Sequence, residues 1–198
     1  MVLRRPEPAG SLAIETSIAK AAPACVSRPL TSVRWLDLQR YMGKWYELAR
    51  YPNWFQHDCR SDVIAEYYQT GDDVIQMVLS WRAMGGQMRT VKGTARVIDP
   101  VTCARLKLNL FKPYSGKYWV IDLGPDYEYA VVGEPERHYL WVLARQPELD
   151  ARTYQAIMEN IRAAGYEPAN LKATPQTLRR VPKSVPAACC GVRWNSRR

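Results

Sequence analysis

The feature that most constrains the fold of this chain is a two-residue alternation of apolar and polar side chains along its middle part. In segment 104–111, Leu106, Leu108 and Leu110 share one face, as expected for a strand with one buried side. Turn-forming segments such as 70–73 and 124–126 separate the alternating stretches. The pattern predicts eight strands: 44–55, 59–69, 74–83, 87–99, 103–112, 117–123, 127–132 and 138–146.

The period changes after the eighth strand, where an amphipathic helix is predicted. Asp150 is a suitable N-cap and Gly165 is placed as the C-cap. Apolar residues occur at i, i+3, i+4 and i+7: Tyr154, Ile157, Met158 and Ile161. Closure of an eight-strand meander removes unpaired edges. We therefore predict an all-β fold, an eight-stranded antiparallel up-and-down barrel with one C-terminal helix packed outside.

The formal charge of +9 lies at the two ends of the chain. Residues 1–34 carry +3, residues 172–198 carry +7, and residues 35–171 carry −1. A nucleic-acid-binding domain is expected to carry its basic residues on the folded core, so nucleic acid is not a predicted partner. We predict a mobile tail over 1–34, a folded domain over 35–177 and a basic tail over 178–198, whose charge suits an anionic membrane surface.

Three short motifs in order resemble the signatures of the lipocalin family. Residues 41–50 contain Gly43 and Trp45 in a Gly-x-Trp pattern, Asp126 and Tyr127 form an acidic-Tyr turn, and Arg145 lies near the end of the last predicted strand. The resemblance covers residues 35 to 177 and is greatest to bacterial lipocalins and apolipoprotein D. Pro125 departs from the pattern, which places only the local turn hydrogen bond in question. We assign Gly43, Trp45, Asp126, Tyr127 and Arg145 structural roles, with Arg145 stacked over Trp45 at one end of the barrel.

Strand parity, together with the resemblance, assigns the side chains that face the barrel interior. The predicted ligand-binding residues are Phe55, Val63, Ala65, Tyr67, Leu106, Leu108, Leu110, Tyr118, Val120, Val132, Trp141 and Leu143. On strand three, Ile75, Met77, Leu79 and Trp81 are also favoured as inward residues. This lining is apolar and aromatic and almost without charge.

An apolar lining with tyrosine hydroxyls is suited to an acyl chain or a flat hydrophobe. We expect a carrier of a small hydrophobic ligand such as a fatty acid or lysophospholipid, with Lys112 and Lys117 at the rim either meeting an anionic head group or simply solvated. The alternative is a filled barrel that binds a membrane or a protein through Trp54, Phe55 and the basic tail. The resemblance implies a cell-envelope setting, in the outer membrane or periplasm and often as a lipoprotein, although Glu15 and Lys20 interrupt any export signal.

No catalytic, cofactor or metal site is predicted. His57 and His138 lack metal-ligand spacing and fall in rim loops. The five cysteines cannot all pair within one chain. Barrel geometry separates Cys59 from Cys103, whereas the lipocalin resemblance makes Cys25–Cys103 and Cys59 with Cys189 or Cys190 feasible. Whether the chain forms a homodimer is left open.

Overall fold

The structure, a computed structural model, describes residues 29–111 and 114–177, and its main feature is a closed antiparallel barrel. The eight barrel strands are β1 Gly43–Arg50, β2 Cys59–Gln69, β3 Val74–Ala83, β4 Met88–Val97, β5 Arg105–Phe111, β6 Tyr114–Leu123, β7 Tyr129–Gly133 and β8 Leu140–Ala144. Each strand pairs with the next, and β1 pairs with both β2 and β8. The predicted eight-stranded up-and-down barrel is therefore confirmed.

The strand ends show where local turn chemistry overrides alternation. Segments 59–69 and 74–83 were predicted with the observed bounds, but the first strand ends at Arg50 and not at residue 55. Asn53 accepts a hydrogen bond from the Gln56 N–H and starts a turn there. The sixth strand begins at Tyr114, not at residue 117, while the predicted strands 87–99, 103–112, 127–132 and 138–146 are shifted or shortened by one or two residues at their ends.

Three short elements outside the barrel were not predicted. Helix α1, Leu38–Tyr41, is capped by Asp37, whose side chain accepts from the N–H groups of Gln39 and Arg40. A 3₁₀ turn spans Pro168–Asn170. The two-residue strand β9, Lys172–Ala173, pairs with the end of β1.

The N-terminal boundary of the folded domain needs correction. The Val33 N–H donates to Val120 O at 2.9 Å, and Ser32 Oγ accepts from Arg105 Nε at 3.0 Å. Leu30 is buried. Residues 30–33, which we predicted to belong to the mobile tail, pack against the barrel, while 1–28 and the basic tail from 178 lie outside the described residues.

Helix α2, Ala151–Ala163, packs on the outside of the barrel as predicted. Asp150 caps its first turn by accepting from Thr153 N–H at 3.0 Å. Ile157 and Ile161 are fully buried in an outer apolar cluster with residues of β7 and β8. The C-cap is Ala164, and Gly165 follows it with φ +83°, a conformation in which glycine is favoured. No helix in the described part of the chain is long and apolar enough to cross a membrane.

Candidate functional site

A narrow cavity lies inside the barrel, between the loop that follows β1 and the tyrosines near the start of β1. It encloses about 40 Å³ and reaches about 420 Å³ when the space that opens to solvent is included. We call the end near Gln56 the mouth and the end near Gly43 the floor. Its wall is largely apolar and is built by residues of β1, β2, β3, β5, β6 and β8 together with the loop after β1.

Eight of the twelve predicted ligand-binding residues line this cavity: Phe55, Ala65, Tyr67, Leu108, Leu110, Tyr118, Trp141 and Leu143. The other four, Val63, Leu106, Val120 and Val132, are buried in the barrel core and do not line it. Strand parity predicts the face of the sheet on which a side chain lies. It predicts neither how deep in the barrel the side chain lies nor how tightly the interior is packed at that level. Those four valine and leucine positions therefore belong to the packed part of the interior.

Four lining residues were absent from the predicted set: Glu47, Gln56, Met77 and Leu79. Met77 and Leu79 had been favoured as inward residues of β3. Glu47 lies two residues after the inward-facing Trp45, so the same parity places it inside, where it is 2% exposed. Gln56 follows the end of the strand, and no periodic signal identifies it.

The mouth of the cavity holds a connected polar network around Glu47. Its Oε1 accepts from Arg50 Nη1 at 2.6 Å, and its Oε2 accepts from Gln56 Nε2 at 2.7 Å. Thr174 Oγ1, from the segment beside β9, donates to the same carboxylate at 2.5 Å. A buried carboxylate requires such partners because removal from water is costly.

Gln56 connects this network to the aromatic residues of the mouth. Its Oε1 accepts from Trp141 Nε1 at 3.0 Å and from Asn53 Nδ2 at 2.8 Å. Phe55 packs beside Trp141 and Tyr139, with ring centroids 6.2 and 6.1 Å away. The amide thus fixes Trp141, and Phe55 narrows the opening.

Three buried tyrosines form the polar part of the floor. Tyr118 Oη lies 2.7 Å from Tyr41 Oη and 2.8 Å from Tyr67 Oη. Burial raises the pKa of all three phenols above their ordinary value. The tyrosines therefore remain protonated at ordinary pH and offer neutral hydroxyls.

Below the floor, Arg145 stacks on Trp45 with its guanidinium carbon 3.8 Å from the ring centroid. Arg145 also donates to Lys44 O at 2.8 Å and to Arg40 O at 2.5 Å. Gly43 adopts φ +86° beside this guanidinium, a backbone conformation that favours glycine. These three residues close the floor end and do not line the cavity.

The turn between β6 and β7 is also a structural element. Tyr127 has φ +59°, and its hydroxyl accepts from the Asp37 N–H at 2.8 Å. Arg40 lies over its ring at 4.2 Å. Asp126 is exposed, and its N–H donates to Glu128 at 3.0 Å. The turn therefore holds α1 against the barrel, and Pro125 O accepts from Arg40 Nη2 at 3.4 Å.

The rim groups are engaged with protein neighbours. Lys117 pairs with Glu136 across the rim, while Lys112 lies outside the described residues. His57 Nδ1 lies 2.7 Å from Trp54 O. No group of three potential metal ligands occurs among residues 29–111 and 114–177.

The cysteines that the structure describes lie on opposite ends of the barrel. Cys59 begins β2 near the mouth, and Cys103 lies in the turn before β5 at the floor end; neither forms a disulfide within residues 29–111 and 114–177. The separation predicted for this pair is therefore present. The suggested partners Cys25, Cys189 and Cys190 lie outside the described residues.

The family model for a lipocalin-like domain matches residues 36–176. The chain belongs to the lipocalin family. Lipocalins bind small hydrophobic ligands, and they are typically binding or transport proteins rather than enzymes.

Curated relatives and a solved structure resemble this lipocalin over most of their length. Temperature-induced lipocalin-1 of Arabidopsis thaliana is 35% identical over 153 residues, covering 73% of this chain and 82% of the relative. Outer membrane lipoprotein Blc of Escherichia coli K12 is 31% identical over 141 residues, covering 71% and 79%. The structure of the allergen Per a 4 from cockroaches has a TM-score of 0.59 at 24% identity, covering 74% and 92%, which shows the shared fold.

Proposed function

We propose that this lipocalin binds and carries a slender hydrophobic ligand, a fatty acid or a lysophospholipid, in the barrel cavity. The observation that carries the proposal is the apolar wall formed by Leu108, Leu110 and Leu143 around an opening at the mouth. Burial of about 14 methylenes contributes about 11 kcal/mol at about 0.8 kcal/mol each. Association costs about 4–15 kcal/mol, so micromolar affinity is within reach.

The enclosed volume of about 40 Å³ is far smaller than a long acyl chain, so binding requires side chains to move. Phe55 is half-buried at the mouth, and Met77 and Leu79 line the wall. Methionine adapts readily to a new shape because its side chain is unbranched. Rotation of Phe55 away from Trp141 would lengthen the cavity toward solvent without disturbing the strands.

The test is native mass spectrometry of the purified protein, followed by titration with the fluorescent probe dansyl-undecanoic acid and its displacement by oleic acid. We expect saturable micromolar probe binding, weakened several-fold by Trp141→Ala. Trp35→Ala, an exposed position at the opposite end, is the matched control. Failure of the wild-type protein both to retain lipid and to bind the probe would refute the carrier function.

A second candidate function, contact with a lipid surface through the mouth, is favoured by three exposed apolar side chains. Three apolar side chains are largely exposed there: Trp54 at 56%, Met84 at 66% and Met88 at 51%. The Met84 N–H donates to Asp58 O, so the turn between β3 and β4 lies beside the loop that follows β1. Together with the envelope location named for Blc, this supports a role at the cell envelope. Sedimentation with anionic vesicles tests it: Met84→Ser/Met88→Ser should reduce binding, and Met158→Ser on α2 should not.

A further inference from the structure

The floor of the cavity has a hydrogen-bond donor that the protein itself does not use. Tyr41, Tyr67 and Tyr118 form a chain of three hydroxyls with two hydrogen bonds, 2.7 and 2.8 Å long. Each phenol carries one proton and can donate once. Two bonds use two protons, and in the described part of the chain these hydroxyls make no other hydrogen bond. One proton of the three therefore lacks an acceptor.

The position of this proton makes it accessible to a ligand. Tyr67 and Tyr118 line the cavity, and Tyr41 is buried behind them. If both outer tyrosines donate to Tyr118, the free proton is on Tyr118; if Tyr41 and Tyr118 each donate onward, it is on Tyr67. If Tyr67 and Tyr118 each donate toward Tyr41, it is on Tyr41, which does not line the cavity. Rotation of the hydroxyls interconverts the three arrangements, so an acceptor at the floor selects one in which a lining residue donates.

An unused donor at this depth matters because it is removed from water. All three side chains are more than nine-tenths buried. A buried polar group without a partner costs free energy, and a ligand that supplies the acceptor removes that cost. The surrounding wall is apolar, so an acceptor at the end of a hydrophobic body matches the polar floor and the apolar wall together.

We propose that the hydroxyls of Tyr67 and Tyr118 recognise a neutral carbonyl oxygen at the leading end of an elongated apolar ligand, which enters the barrel carbonyl first. The inference rests on the proposed function, because it specifies which hydrophobic ligand the same cavity prefers. A long-chain ketone, an aldehyde or a protonated acid has this chemistry.

An ionised carboxylate does not suit the floor. Burial keeps the pKa of the phenols above their ordinary value although Arg145 acts in the opposite direction on Tyr41 and Tyr67. The environment therefore disfavours negative charge at this point. The single free hydroxyl proton can bond to one lone pair of a carbonyl oxygen. An ionised carboxylate has about four acceptor sites, so most of them would lack a hydrogen-bond donor. A fatty acid in its ionised form would hence place its head group at the mouth.

The experiment compares two competitors of equal carbon number, methyl nonyl ketone and undecane, in displacement of dansyl-undecanoic acid. The variant is Tyr67→Phe/Tyr118→Phe, which removes both lining hydroxyls with little change of shape. Tyr68→Phe, on the exposed outer face of the same strand, is the matched control. The ratio of the two competitor affinities is compared between proteins, so that general changes in packing cancel.

We expect the ratio of ketone affinity to undecane affinity to fall about three- to tenfold in the double variant and to stay unchanged in the control. The infrared carbonyl band of isotope-labelled ketone should lie at lower frequency in the wild-type complex than in that of the double variant. An unchanged preference and an unshifted band in a protein that still binds the probe would overturn the inference alone. Absence of probe binding by the wild-type protein would overturn the proposed function and the inference with it.

Discussion

Arg145 covers Trp45 at the floor of the barrel, with 3.8 Å between the guanidinium carbon and the ring centroid. β1 starts and β8 ends at this end of the barrel, because antiparallel neighbours run in opposite directions. Arg145 also donates to the backbone oxygens of Arg40 and Lys44, one at the end of α1 and one at the start of β1. A single side chain thus joins the last strand, the first strand and the helix that precedes it.

Loss of this contact should destabilise the fold without removing a ligand contact. Arg145→Ala forfeits the cation–π interaction and both hydrogen bonds, so we expect a loss of about 2–3 kcal/mol in the free energy of unfolding. Arg145→Lys keeps the charge but has its donors on one nitrogen, without the planar fork whose two nitrogens reach the two carbonyl oxygens, and should lose about half of that. Urea unfolding provides the measurement, and equal stability of Arg145→Ala and wild type would show that the contact is energetically neutral.

The sequence predicted the barrel because alternation, turn residues and the three signature motifs agree with one another. It predicted the ends of the strands less well, since the Asn53–Gln56 turn depends on one side-chain-to-backbone hydrogen bond. The pairing of β9 with β1 had no periodic signal at all, because two residues are too few to alternate. Closure of the barrel depends on the order and pairing of all eight strands, so shifts of a few residues at the strand ends do not alter it.

The cavity shows the corresponding limit for the site. Eight of the twelve residues predicted from strand parity line the cavity. Parity does not show that the barrel interior is packed around Val120 and open beside Leu108. Glu47 was missed although strand parity places it inside, because a charged carboxylate is not expected among the apolar side chains of a barrel interior. Its partners Arg50 and Thr174 resolve the conflict, and they are 3 and 127 residues away in sequence.

Phe55 lies at the mouth of the cavity and narrows its opening. Its ring lies between Trp54, 5.7 Å away, and Trp141, 6.2 Å away, at the only part of the wall formed by a loop among the described lining residues. Phe55→Ala removes this obstruction, so we expect the association rate of dansyl-undecanoic acid to rise several-fold. Stopped-flow fluorescence measures the rate. Trp35→Ala serves as control, and a slower association for Phe55→Ala would identify the ring as a ligand contact instead.

Asp62 holds the C-terminal segment on the barrel and should make stability depend on pH. Burial opposes its ionised form, but donation from Thr177 N–H at 2.6 Å, from its hydroxyl and from Arg82 and Ser61 outweighs burial and lowers the pKa of Asp62 to about 2. The unfolded value is about 3.9. Because the pKa of Asp62 is lower in the folded than in the unfolded protein, its ionised carboxylate stabilises the fold. This contribution is complete above a pH of about 4 and is lost as the pH falls toward about 2.

Asp62→Asn should therefore reduce the free energy of unfolding by about 1–2 kcal/mol at neutral pH and by much less near pH of about 2. Thermal unfolding across this range provides the measurement. Asp72→Asn, at an exposed turn, is the matched control. A stability difference between Asp62→Asn and wild type that stays constant with pH would contradict the assignment of the acid-sensitive group.

Deletion of residues 179–198 should separate membrane contact from ligand binding. The deleted segment carries six of the seven basic residues that follow Leu171 and no acidic residue. The hydrogen bond from Thr177 N–H to Asp62 lies before the deleted segment and should remain.

We expect the fraction of protein that sediments with anionic vesicles to fall and to lose its dependence on ionic strength, because salt screens the attraction between the tail and the surface. Affinity for dansyl-undecanoic acid should not change, since the cavity is lined by residues 47–143. An equal loss of vesicle binding and probe affinity would show that the basic tail and the barrel act as one unit.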